Sequence, residues 1–165
     1  MISALIMTGI CGGMPGLKEL GGRMFMWRVC PKWWIITFSP LIIGYMVIFI
    51  LSVLTDSAIR LSNLGVLNYL SPLGIGALLL CLFTFGLGEE TGWRGYALPR
   101  LQKGRRALTA TMILAAFWAL WPLPQFFYLF DPYNAIGWLI GLFAGVVILT
   151  WLYYSTDESI LMVAI

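Results

Sequence analysis

Two adjacent carboxylates and an arginine one helical turn further on, Glu89, Glu90 and Arg94, stand inside an otherwise apolar stretch. On a helix Glu90 and Arg94 face each other, with the acid on the favourable N-terminal side. Glu89 points about 100° away, so Arg94 cannot neutralise both. The spacing predicts a division of labour. Glu90 and Arg94 close a structural pair, and Glu89 is left to ionise, bind a proton or activate a water. An ionisable side chain at the centre of a membrane helix costs at least about 2.5 kcal/mol on insertion scales, which makes such groups functional by default. The competing expectation is that the cluster only braces helices together.

The sequence contains no histidine, the commonest metal ligand and the commonest acid or base near neutral pH. A catalytic zinc takes three protein ligands from His, Cys, Asp or Glu. Glu89 and Glu90 are available, but Cys81 lies about 12 Å away along the same helix. The expectation is therefore no metal and no cofactor. The cysteines Cys11, Cys30 and Cys81 are odd in number, lack CxxC spacing and read as buried thiols. Thr91 reads as a helix-packing residue, and Gly92 and Gly95 as small residues that let helices approach.

The elements that must position this cluster are membrane helices. Of the 165 residues 61% are hydrophobic and 10% charged, against about 45–50% and about 25% in soluble domains. This predicts an all-α fold, a polytopic transmembrane helix bundle forming a single transmembrane domain over 1–165. Spans are expected near 33–54, 73–98, 107–129 and 136–154, with partial helices at 1–12 and 159–165. Gly12, Gly13, Pro15 and Gly16 should break the first helix, and Pro99 should end the one carrying Glu89. Pro122 and Pro124 interrupt the next, and Asp131, Pro132 and Asn134 make a turn. Residues Ile2 to Cys11 have neither a basic leader nor a cleavage pattern and do not read as a signal peptide.

By the positive-inside tendency the basic loops 18–32 and 100–106 face the cytoplasm, and the connection from Asp56 to Ser71 and the Asp131 turn face outward. Parity then places Asp157 and Glu158 inside. The expected location is a bacterial plasma membrane. The net charge is only +3, carried in two loops rather than along a face that could follow phosphates, so nucleic acid is not an expected partner.

Gly88-Glu89-Glu90-Thr91-Gly92-Trp93-Arg94-Gly95-Tyr96 resembles the EExxxR signature of the CPBP intramembrane proteases, the CAAX prenyl-protease and bacteriocin-processing family, also called the Abi family. Phe117-Trp118-Ala119-Leu120-Trp121-Pro122-Leu123-Pro124 is similar to that family's FWALWHLP helix, after a comparable basic loop. The opening stretch to Trp34 is also similar to the region preceding the motif in bacterial members. The resemblance implies a helical membrane endopeptidase. By motif match, Glu89 is the water-activating carboxylate, Glu90 its neighbour and Arg94 the motif arginine. It implies membrane lipid and a membrane-associated protein or peptide substrate as partners. Members are often described as metalloproteases, although a metal-independent, glutamate-based mechanism has also been argued. Trp93, Trp118 and Trp121 are candidates for an apolar, substrate-binding wall for a lipid or prenyl chain, against the alternative of packing or interfacial residues. Gln125 and Tyr128 are weaker candidates to line the same cavity.

Two departures from the pattern matter. The second-motif histidine is replaced by Pro122, which has no side-chain nitrogen to take a proton. Residues Ser159 to Ile165 resemble the apolar lead-in to a third motif that then does not follow. The expectation drawn from the latter is a fragment of the family's domain, cut at both ends. The former opens an alternative, a non-catalytic pseudoprotease with a binding or regulatory role. A transporter using Glu89 and Glu90 as ion sites is a third expectation, weakened by the lack of paired broken helices or repeats.

Overall fold

Proline and glycine decide where the helices begin and bend. The computed structural model describes residues 1–55, 71–127, 133 and 135–165. The expected Asp56 to Ser71 connection, apart from Ser71, and the turn residues Asp131, Pro132 and Asn134 lie outside the described residues.

Helix α1, Ile2–Met24, is broken at Gly13, whose φ of 60° and ψ of −157° leave the helical region. Glycine has no Cβ to resist that conformation. A Cβ on Gly9 would lie 3.5 Å from Leu17 Cδ1, and one on Gly16 would lie 3.3 Å from Thr8 Cγ2. In a straight helix residues so separated are about 12 Å apart, so the two halves fold against one another. The chain resumes as helix through Pro15, Lys18 and Arg23, and only Phe25 to Cys30 is non-helical before the next helix. The first half coincides with the partial helix expected at 1–12, whereas the expected basic loop at 18–32 is helical as far as Met24 and is corrected accordingly.

Helix α2, Pro31–Leu54, opens on a proline, which costs nothing in a first turn whose N–H groups lack partners anyway. None of its residues is buried, and its apolar side chains, among them Ile35, Leu41, Phe49 and Val53, face outward. Trp33 meets Trp151 edge-on at 5.5 Å, and Thr37 Oγ1 donates to the Met162 carbonyl at 3.2 Å.

Helix α3, Pro72–Leu101, is the longest. Ser71 caps it by accepting from Gly74 N at 3.0 Å. It contains two wide, π-helical stretches, Leu82–Leu87 and Thr91–Ala97, on either side of Gly88–Glu90. Pro99 does not end it. The ring of a proline clashes with the preceding turn of a regular α-helix, and the wide turn just before Pro99 relieves that clash, so helix continues to Leu101.

Helix α4, Ala107–Leu120, stops at the two prolines and is followed by a short 3-10 turn, Leu123–Phe127. It is therefore shorter than the expected span at 107–129. Helix α5, Ala135–Ser155, packs along α4 through Ala110, Leu114, Ala115 and Val146. Asp157 and Glu158 then adopt left-handed φ values of 54° and 66°, turning the chain sharply into helix α6, Ile160–Ala164. Ser159 caps α6, accepting from Met162 N at 3.3 Å and donating to the Met26 carbonyl at 2.7 Å. Helix α6, where a partial helix is expected at 159–165, fills the middle of the bundle, with Ile160, Met162 and Val163 buried.

Three chain segments meet at one end. Arg23 pairs with Glu158 at 2.8 Å and with Glu19 in its own helix, and it donates to Tyr153 Oη at 3.3 Å. Tyr154 Oη donates to Gln102 at 2.6 Å. The first basic segment, the loop after α3 and the Asp157–Glu158 turn thus share a face of the bundle.

The fold is the all-α polytopic membrane bundle that the composition predicts. Pro31–Leu54, Pro72–Leu101 and Ala135–Ser155 are long and apolar enough to cross a bilayer. The cysteines correct their expectation: Cys11, Cys30 and Cys81 are all exposed on the protein surface. Cys81 sits on the outward face of a helix whose neighbours Leu78 to Leu80 are exposed too, so a thiol there is shielded by the apolar surroundings of the helix rather than by protein.

Candidate functional site

The site lies in the middle of α3, where its two wide stretches meet. Arg94 Nη1 donates to Glu90 Oε1 at 2.7 Å. The side chains of Arg94 and Glu90 are 0% and 6% exposed. Thr91 Oγ1 donates to the Leu87 carbonyl at 2.5 Å beside them, taking care of its own hydroxyl within the helix. Glu90 Oε2 and Arg94 Nε and Nη2 are buried without a hydrogen-bond partner, so the pair is closed but not saturated.

Glu89 behaves differently. It is half-buried, and its carboxylate lines a cavity of about 550 Å³ together with Thr84, Gly88, Gly92, Trp93 and Trp121. The indole Nε1 of Trp118, on α4, donates to Glu89 Oε2 at 3.2 Å. The ring of the same tryptophan lies under Arg94, with the guanidinium carbon 4.6 Å from its centroid. Trp118 therefore links Glu89 to the Glu90–Arg94 pair: it holds Glu89 by its edge and Arg94 by its face, a cation–π contact worth about 0.5–2 kcal/mol.

Of the three tryptophans expected to form an apolar wall, the structure brings Trp93 and Trp121 to the Glu89 cavity. Trp118 meets Trp93 ring to ring at 6.2 Å, yet its contacts to Glu89 and Arg94 are polar and electrostatic. That role escaped the sequence reading, because no local spacing relates α4 to α3 and a tryptophan in an apolar helix looks like packing. Gln125 lines neither this cavity nor its neighbour, and Tyr128 lies outside the described residues. Gly95 is a close-approach position, since a Cβ there would sit 2.8 Å from both Ile160 Cδ1 and Leu20 Cδ1. Gly92 is not: a Cβ there would meet nothing within 4 Å, and its smallness instead opens the cavity beside Glu89.

Among the described residues no three His, Cys, Asp or Glu side chains converge. Glu90 is committed to Arg94, and only Glu89 presents a carboxylate to the cavity. These donors do not fit a catalytic zinc, which takes three protein ligands.

The geometry offers one carboxylate at the wall of an otherwise apolar cavity, positioned from one side by an N–H donor and standing beside a buried ion pair. A family model described as type II CAAX prenyl endopeptidase Rce1-like matches residues 70–165, which include Glu89, Glu90, Arg94 and Trp118. The CAAX prenyl protease 2 of Methanococcus maripaludis is 33% identical over 97 residues, a stretch covering 53% of this chain and 35% of that protein. The match thus spans about a third of the relative's length. No solved structure matches the chain. With α3 and α4 carrying both motifs at the cavity, the chain belongs to the type II CAAX prenyl endopeptidase Rce1-like family.

Proposed function

We propose that this chain works in a membrane-embedded endopeptidase of the CAAX type, in which Glu89 activates the hydrolytic water. The observation that carries the reading is the separation of the two carboxylates: Glu90 is closed against Arg94, and Glu89 faces the cavity. In the reaction, the Glu89 carboxylate takes a proton from water as the oxygen attacks the scissile carbonyl. The resulting carboxylic acid returns that proton to the leaving amine, so the residue begins and ends ionised. Trp118 is a positioning residue, fixing Glu89 through Nε1. Glu90 and Arg94 hold the helix face rigid, and no step passes through a metal. The substrate is a membrane-associated peptide, with a prenylated peptide, the class named by the family, as the first candidate. Trp93 and Trp121 offer its apolar part a wall. The basic segments 18–32 and 100–106 face the cytoplasm of a bacterial cell, where such a peptide meets the membrane.

Pro122 favours a second reading. It directly follows Trp121 and stands where the family pattern has histidine, so a second proton-handling group is missing and the cavity serves binding or regulation without hydrolysis. Cleavage of a fluorogenic prenylated peptide by membranes containing the protein separates the two. Under the first reading wild type cleaves and Glu89→Gln does not; cleavage that survives Glu89→Gln would remove Glu89 from the mechanism. Under the second, wild type binds the peptide without cleaving it, and Pro122→His gains activity.

A further inference from the structure

A second cavity, also of about 550 Å³, opens beside the first without touching Glu89. Its walls come from α3 and α4 and are apolar or aromatic, including Trp93, Leu114, Phe117 and Trp121. One lining group is out of character. Arg100 stands at the rim, one residue before α3 ends at Leu101. Its guanidinium carbon stacks 3.5 Å from the Tyr96 ring centroid, and its Nη1 donates to the Tyr96 carbonyl at 3.0 Å. The planar head is therefore held in place, with one of its five N–H donors used in a hydrogen bond among the described residues.

Arg100 also lines a third, smaller cavity of about 260 Å³ on the other side of α3, with Glu19, Arg23 and Lys103. Arg23 is paired with Glu19 and Glu158. Among the described residues neither Arg100 nor Lys103 has a carboxylate partner, so these two carry the uncompensated positive charge. Arg100 thus joins an apolar slot to a basic recess at the end of α3.

We propose that this is a binding site for an anionic phospholipid, with the phosphate held by Arg100 and Lys103 and an acyl chain lying in the slot toward Trp93. A pre-oriented guanidinium accepts a phosphate through two parallel charge-assisted bonds. Basic pockets between helices at a membrane surface select anionic headgroups. From Arg100 to Trp93 the helix rises roughly 10 Å, a depth an acyl chain spans. Free phosphate satisfies the basic recess but leaves the apolar slot without a use, and the neutral headgroup of phosphatidylcholine leaves the two cations uncompensated. The slot shares Trp93 and Trp121 with the wall assigned above to the peptide's apolar part, but it contains none of Glu89, Glu90 and Arg94, so lipid retention is read without any cleavage step.

The test is native mass spectrometry of the full chain released from nanodiscs holding equal phosphatidylglycerol and phosphatidylcholine, repeated with inorganic phosphate as competitor. The expected result is retained phosphatidylglycerol at several-fold excess over phosphatidylcholine, unaffected by millimolar phosphate. Arg100→Gln and Lys103→Gln should each lower that excess about fivefold, while Arg100→Lys, which keeps the charge but loses the stacked bidentate head, retains only part of it. Equal retention of both lipids, retention unchanged in Arg100→Gln, or displacement by phosphate alone would each overturn the assignment.

Discussion

The buried Glu90–Arg94 pair sets the most demanding test of the site's construction. Replacing Arg94 with methionine keeps most of the side-chain volume and removes three things at once: the 2.7 Å hydrogen bond to Glu90, its charge partner, and the cation–π contact to Trp118. Because Arg94 is fully buried and Glu90 nearly so, water cannot replace the lost partner. Glu90 already has Oε2 without a hydrogen bond, so the variant leaves a carboxyl with neither oxygen satisfied. Breaking a buried pair from one side typically costs about 3–5 kcal/mol, whereas replacing both partners with neutral groups is close to neutral. Arg94→Met should therefore lose about 3–5 kcal/mol in reversible unfolding from mixed detergent micelles. Glu90→Gln with Arg94→Met should recover most of that loss, to within about 2 kcal/mol of wild type, since the stranded charge is gone and only the cation–π contact and hydrogen bond remain lost. The expected coupling between the two positions is large and positive. A single variant that loses less than 1 kcal/mol, or a double variant no more stable than the single one, would show that the pair is not desolvated as the packing implies.

Other consequences follow from neighbouring contacts. Trp118→Phe keeps a ring under Arg94 but deletes the donor to Glu89, and a hydrogen bond to a charged group is worth about 1.5–3 kcal/mol; if Glu89 is the base, turnover should fall about 10- to 100-fold with the fold intact by circular dichroism, and unchanged turnover would separate Trp118 from the chemistry. Gly86→Ala should be severe, because the added Cβ runs into the Ala164 carbonyl oxygen and α6 has to shift; a loss of about 1–3 kcal/mol is expected. Gly141→Ala, with nothing within 4 Å of the new Cβ, should be neutral or slightly stabilising in the same unfolding measurement. Ser159→Ala removes both the α6 cap and the bond to Met26, costing about 1–2 kcal/mol; a change below about 0.3 kcal/mol would mean that α6 is held by its apolar contacts alone.

What the sequence determines by itself here is chiefly what short-range geometry and composition control. Its excess of apolar residues demands a membrane bundle, because so few polar side chains cannot cover a water-facing surface. The Glu90–Arg94 pairing follows from one turn of helix, and with it the isolation of Glu89. The two motifs also carry the family. The tertiary structure decides what depends on helices meeting. It turns Trp118 from an apolar wall into the group that holds Glu89, because only packing α4 against α3 brings an indole N–H to that carboxylate. It places α6 in the core, because the left-handed turn at Asp157 and Glu158 directs Ile160, Met162 and Val163 inward, which their composition alone does not decide. It also carries α3 past Pro99 through a wide turn, where local propensity predicts a stop, and resumes helix through Pro15 after the expected break at Gly13. It sets Cys11, Cys30 and Cys81 on the outside, because hydrophobicity in a membrane protein fixes which residues avoid water but not which of them face protein and which face lipid.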